Sequence, residues 1–185
     1  MKFKTSLLKI CLFSFLLAIV SCGRSGKNSI TILFTTDLHG VILPYDFIEK
    51  KDMDVSLASI STYVNSVRKE GSPVILLDNG DNLQGQPPVY YYNFIDTASS
   101  HINSVAMNFM GYDACTVGNH DIEAGHSVYD RLVNEYKFPL LAANAVRTAD
   151  GEPYFKPYTV IEKGGIKTVV FGLITTGVPG WLPPE

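Results

Sequence analysis

Three times along this chain an apolar, β-branched run of strand length ends in a cluster of Asp, His, Asn and Gly. The clusters are Thr35-Thr36-Asp37-Leu38-His39-Gly40, Asp78-Asn79-Gly80-Asp81-Asn82 and Gly118-Asn119-His120-Asp121. Strands are expected over Ile30 to Thr36, Val74 to Leu77, Ala114 to Val117, Phe138 to Ala143 and Lys167 to Ile174, with Pro153 to Glu162 as one more. The wholly apolar Val74 to Leu77 suits a strand buried on both faces. Helical periodicity lies between them. Leu57, Ile60, Val64 and Val67 recur at spacings of three and four within Val55 to Glu70. Ile102, Val105, Phe109 and Met110 mark Ala98 to Met110, and Val128, Leu132, Val133 and Tyr136 mark Ser127 to Lys137. Gly71 and Gly111 stand as stop signals. Such alternation is that of an α/β sheet with parallel crossovers. Ligands of these sheets bind at the carboxyl ends of the strands, where all three clusters fall.

With 185 residues, 46% of them hydrophobic, the chain suits one globular domain with a real core. A net charge of −3 gives no sign of the basic patch that a nucleic-acid polymer would need. It does not exclude a phosphate substrate, because bound cations would dominate the local field. The amino terminus reads as a targeting segment. Lys2, Lys4 and Lys9 precede an apolar run from Ile10 to Val20 that is too short to span a bilayer. That run closes on Ser21-Cys22, a lipobox-like ending, so residues 1–22 are expected to be a lipoprotein-type signal peptide. Cys22 would carry the lipid anchor to the membrane, residues 23–29 would be a flexible tether, and residues 30–185 the domain. The expected location is outside the cytoplasm, periplasmic or on the outer membrane of a bacterium. With Cys11 in the signal segment and Cys22 lipidated, Cys115 remains alone in the domain, without an intrachain disulfide; it reads as a small core residue.

The clusters carry metal chemistry. Asp37 and His39 are two apart; if strand geometry continued, their side chains would point the same way and could bind one divalent ion. Asp81 follows Gly80 and can bridge two ions about 3.5–4 Å apart. Asp78 competes for that role, but the strand runs through Leu77 and Gly80 lets the next carboxylate approach closely. The plainer alternative is an Asx-turn with solvated carboxylates. Asn119 offers a neutral amide oxygen to a second ion. His120, its neighbour, is free to touch substrate, to stabilise phosphoryl charge or to protonate a leaving oxygen. A carboxylate should hold its ring, and Asp121 and Glu123 are both candidates. His101, within a helix, reads as a surface residue, and His126 begins a helix near the third cluster. Tyr90-Tyr91-Tyr92, after Pro87-Pro88, is a substrate-stacking platform, simple packing or a half-buried loop.

Asp-x-His, then Gly-Asp, then Gly-Asn-His-Asp, each after a strand, resembles the calcineurin-like metallophosphoesterases. Thr35 to Gly40, Gly80 to Gly85, Leu141 to Asn144 and Gly172 to Pro183 are more closely similar to bacterial 5′-nucleotidases and 2′,3′-cyclic-nucleotide 2′-phosphodiesterase/3′-nucleotidases. The resemblance implies a four-layer α/β/β/α sandwich and two divalent ions, drawn from zinc, manganese, iron or magnesium. It implies Asp37, His39, Asp81 and Asn119 as metal ligands and His120 as the catalytic histidine. Its acidic partner falls three positions on, usually Asp and here Glu123. The implied substrate is a nucleotide phosphoester. The resemblance also implies later metal ligands and a carboxy-terminal nucleoside-recognition domain, neither of which follows His126. The expectation is therefore an amino-terminal portion, truncated before its later strands, with an uncovered apolar sheet face. The competing expectation is a catalytically inactive fragment or interaction domain.

Overall fold

The structure, a computed structural model, describes residues 29–182, so the proposed signal segment, Cys22 and all but the end of the tether lie outside the described residues. In chain order the elements are β1 (Thr31–Thr35), β2 (Tyr45–Asp46), β3 (Lys51–Asp52), α1 (Leu57–Lys69), β4 (Val74–Asp78), α2 (Pro87–Phe94), α3 (Ile102–Met110), β5 (Ala114–Thr116), α4 (Asn119–Glu123), α5 (His126–Glu135), β6 (Leu140–Leu141), β7 (Tyr158–Lys163), β8 (Ile166–Phe171) and α6 (Val178–Trp181). The class is α/β, as the alternation predicts.

The main sheet is parallel in the order β1-β4-β5-β6, with Thr31 opposite Val74 and Thr35 opposite Asp78. Ile75 and Leu76 at its centre are fully buried, as an apolar strand in a covered parallel sheet must be. Leu57 and Val64 of α1, Met107 of α3, and Val128 and Leu132 of α5 pack with Leu76, Cys115 and Val117 into one core. The helices end where local chemistry stops them. Ser56 and Ser59 form a reciprocal capping box at the start of α1. Gly111, at φ 68°, closes α3 in the left-handed conformation that glycine adopts without strain.

The antiparallel pair β7–β8 covers part of the opposite face and leaves a cavity of about 370 Å³ bounded by Leu77, Thr116, Leu141 and Val170. Lys163 ties the pair to the main sheet, donating to the Val74 carbonyl at 2.8 Å and to Asp113 at 2.6 Å. Cover is incomplete: Ile32 and Phe34 of β1 and Val169 and Phe171 of β8 stay exposed.

Two expectations need correction. Tyr90 to Tyr92 do not form a loop; they lie on α2, which Pro87 and Pro88 open, because proline is tolerated in a first helical turn. His101 is not a surface residue. The third helix begins at Ile102 rather than Ala98, and His101 caps it with its ring fully buried. Its Nδ1 accepts the Asn103 N–H at 3.1 Å, and its Nε2–H donates to Asn93 Oδ1 at 2.9 Å. The Glu135 carboxylate accepts the His101 backbone N–H and is itself paired with Arg131 at 2.7 Å. The polar partners that make this burial affordable come from three separate helices, so no local pattern announces it.

Burial, reinforced by the Arg131 guanidinium and opposed by Glu135, holds the His101 pKa down from 6.5 to about 4. Between those values the unfolded chain takes up a proton that the folded chain refuses. The stability His101 contributes is therefore complete above pH 6.5 and is lost as pH falls toward 4. Urea unfolding should show a loss of about 2 kcal/mol between pH 7 and pH 4.5 from this residue. His101→Gln should flatten that part of the profile; an unchanged slope would count against the burial of a neutral ring.

Candidate metal centre

Because β1, β4 and β5 are neighbours, the loops that follow them lie side by side. Backbone bonds join the first two: Asp37 N–H donates to the Gly80 carbonyl and His39 N–H to the Asp81 carbonyl, each at 3.0 Å. Strand geometry does not continue through Asp37 and His39. Both are left-handed, at φ 53° and 46°, and so is Asp81 at 60°. Residues held there cost of order 1–3 kcal/mol each and persist only where their surroundings over-determine them. The second and third loops close on each other through glycine. A Cβ on Gly80 would stand 2.4 Å from the Gly118 nitrogen, and one on Gly118 only 2.0 Å from Asp81 Oδ1.

Asp121 fastens the two loops. One of its oxygens accepts the N–H groups of Asp81 and Gly118 at 2.9 Å, and the other those of Asn82 and Leu83 at 2.8 and 3.0 Å. Burial pushes its pKa up to about 6 against those four donors, which favour the carboxylate. Asp121 therefore does not hold the His120 ring. The signal available in the sequence was a carboxylate three residues after Gly118 at a helix start, half of a capping box.

Inside this frame His39, Asp81 and His120 each bring one ligand atom to within 4.8 Å of the others, all three half-buried. The two imidazoles meet edge to face with centroids 5.3 Å apart. His39 Nδ1 lies 3.2 Å from the Gln84 carbonyl. A carbonyl only accepts, so Nδ1 carries the hydrogen and the Nε2 lone pair is left for a cation. His120 Nδ1 instead meets the Glu123 carboxylate at 2.9 Å. That bond raises the His120 pKa, against a smaller opposing effect of burial. Asp81 Oδ1 accepts the His120 backbone N–H at 2.9 Å, which fixes the carboxylate and leaves its second oxygen available. The His39 imidazole and the Asp81 carboxylate are donors that fit a divalent cation, with the His120 ring beside them.

The remaining expected residues are placed differently. The Asp37 carboxylate is exposed, accepts the Thr36 hydroxyl and stands outside the three-residue group. Asn119, half-buried, opens α4 beside His120. Asp78, at the end of β4, is 3% exposed and held by Thr35, Asn82 and Cys115, and burial raises its pKa. Cys115 is buried in the core. His126 is exposed, its Nδ1 3.1 Å from the Tyr154 hydroxyl, and does not join the group.

Comparison with known proteins gives consistent matches. Residues 30–178 match the family model described as calcineurin-like phosphoesterase. The chain is 28% identical to the 2′,3′-cyclic-nucleotide 2′-phosphodiesterase/3′-nucleotidase of Yersinia enterocolitica, over 86% of this chain and 25% of that protein. It is 31% identical to the 5′-nucleotidase of Diplobatis ommata, over 89% of this chain and 29% of that protein. Among solved structures, the calcineurin-like phosphoesterase YfkN from Bacillus subtilis superposes with a TM-score of 0.72 at 30% identity, covering 82% of this chain and 50% of that one. The chain thus spans about a quarter of the length of these curated relatives.

Asp121→Asn keeps the shape but replaces two acceptor oxygens with one, and turns an amide toward backbone donors. Urea unfolding should report a loss of about 2–3 kcal/mol. Hydrogen exchange should speed up at Asp81, Asn82 and Leu83 together. Unchanged protection at those three amides would show that Asp121 does not hold the loop.

Proposed function

We propose a function from one premise: the chain belongs to the calcineurin-like phosphoesterase family. That family works through a dinuclear divalent-metal site, and the reading here is metal-dependent hydrolysis of nucleotide phosphoesters, of the 5′-nucleotidase or 2′,3′-cyclic-nucleotide type. The observation that carries it is the convergence of His39, Asp81 and His120 within 4.8 Å at the ends of three adjacent strands. Relatives named trifunctional nucleotide phosphoesterase, 2′,3′-cyclic-nucleotide 2′-phosphodiesterase/3′-nucleotidase and 5′-nucleotidase support the substrate class. The Lys-rich start, the apolar run and Cys22 support an exported, lipid-anchored setting.

When bound, divalent ions supply Lewis-acid charge at the phosphoryl group and make a nucleophile available near neutral pH. His39 would offer Nε2, oriented by the Gln84 carbonyl, and Asp81 its free oxygen. Asp37 and Asn119 complete the proposed set, with the Asp37 carboxylate leaving the Thr36 hydroxyl to do so. His120 takes the second role. With Nδ1 held by Glu123, its Nε2–H faces the reacting group, where imidazolium can steady phosphoryl charge and pass a proton to the departing ribose oxygen. Glu123 keeps that proton on the ring at higher pH.

Manganese-loaded protein should hydrolyse adenosine 5′-monophosphate or 2′,3′-cyclic adenosine monophosphate, and Asp81→Ala should lose both metal and turnover. Glu123→Gln should lower the His120 pKa, read from its imidazole proton resonances. It should also reduce turnover of nucleotides about 10- to 100-fold while sparing a p-nitrophenyl ester, whose leaving group needs no proton. Metal content unaffected by Asp81→Ala would remove the basis for this reading.

A further inference from the structure

We infer that Asn93, buried on α2, is a positioning residue for the His39 imidazole and acts through the segment Leu83 to Gln86. This rests on the phosphoesterase reading, which makes His39 a metal ligand, and adds what aims that ring from outside the three loops. The segment grips His39 at three points. The Gln84 carbonyl lies 3.2 Å from its ring Nδ1. The Gln86 N–H donates to its backbone carbonyl at 3.0 Å. Between them Gly85 lies directly on the His39 backbone: a Cβ there would stand 2.4 Å from the His39 oxygen and 2.9 Å from its Cβ. Gly85 also sits at φ 122°, where glycine is favoured. With nothing between segment and ring, the ring follows the segment.

The segment belongs to no helix or strand, so its placement comes from other parts of the chain. Leu83 is tied on both sides. Its N–H goes to Asp121 at 3.0 Å, and its carbonyl accepts from Asn93 Nδ2 at 2.7 Å. The Asp121 bond alone would leave the peptide after Leu83 free to turn about the Cα–C bond. That turn would swing the Gln84 carbonyl off the His39 ring. Asn93 blocks it, and its own sense is fixed in turn. His101 Nδ1 accepts the Asn103 N–H, so Nε2 carries the hydrogen and donates to Asn93 Oδ1 at 2.9 Å. The Asn93 amide therefore presents its NH2 group, not its oxygen, to Leu83. At 4% exposure Asn93 has no solvent to offer the Leu83 carbonyl a substitute donor. An orienting bond to the second ring nitrogen is what sets a histidine ligand's tautomer and aim; here that bond is itself aimed from α2.

Asn93→Asp keeps the shape and the acceptor for His101 but turns an oxygen toward the Leu83 carbonyl. Two readouts test it. In metal-free protein at alkaline pH, imidazole nitrogen spectra should show His39, assigned with His39→Gln, passing from the Nδ1–H form to a mixture of tautomers. Manganese affinity, measured by titration calorimetry, should fall about tenfold. Gly85→Ala, which pushes the same segment off His39, should change both readouts in the same direction. Val64→Ala, in the core on α1, should cost stability and leave both unchanged. Wild-type manganese affinity in Asn93→Asp and Gly85→Ala, or an equal loss in Val64→Ala, would overturn the positioning role. If the wild-type protein takes up no manganese, the phosphoesterase reading falls and the tautomer decides the rest. A mixture in Asn93→Asp then upholds the aiming of the ring by Asn93, and an unchanged Nδ1–H form overturns it.

Discussion

One buried carboxylate holds the centre of this molecule together. Asp121 gathers the N–H groups of Asp81, Asn82 and Leu83 from one loop and of Gly118 from the next. Buried donors left without partners are costly. The two loops therefore close around Asp121 or leave four N–H groups exposed to an apolar interior. The side chains of the candidate metal centre are hung on that closure. Asp81 is fixed because its own N–H is taken and because its carboxylate then meets the His120 N–H. His39 is fixed because the Asp81 carbonyl takes its N–H and Gln84 takes its ring.

The strained backbone at Asp37, His39 and Asp81 belongs to the same design. Left-handed residues with side chains do not hold themselves. They are held by loop-to-loop bonds, by glycines that let the loops approach, and by the sheet register that puts β1, β4 and β5 in order. The side chains are thereby pre-set, and little ordering entropy remains to be lost when a ligand arrives.

Much of this was legible in the sequence. The apolar runs gave β1, β4, β5 and β8, and the positions of the three clusters after strands gave their convergence, because parallel crossovers bring successive carboxyl ends to one edge. The preference for Asp81 over Asp78 rests on Gly80; in the structure Asp81 stands with His39 and His120, while Asp78 is buried. What stayed hidden depends on partners distant in sequence. His101 is buried because Asn93 on α2 and Glu135 on α5 satisfy it. Asp121 stands beside Glu123 in the sequence as a possible ring partner, but three of its four donors lie about forty residues upstream. The left-handed turn at Asp37 and His39 reflects pairing to the second loop, which periodicity along one strand does not carry.

The buried His101 cluster also reaches the candidate metal centre. Asn93, which accepts from His101, donates to the Leu83 carbonyl at 2.7 Å, two residues from Asp81. At the other end Glu135 ties His101 and Ser104 to Arg131, and Arg131 donates onward to the Tyr92 carbonyl. A chain of hydrogen bonds thus runs from the end of α5 to the loop that carries Asp81. A substitution at Arg131 or Glu135 would therefore touch the Asp81 loop at second hand, through His101, Asn93 and the Leu83 carbonyl.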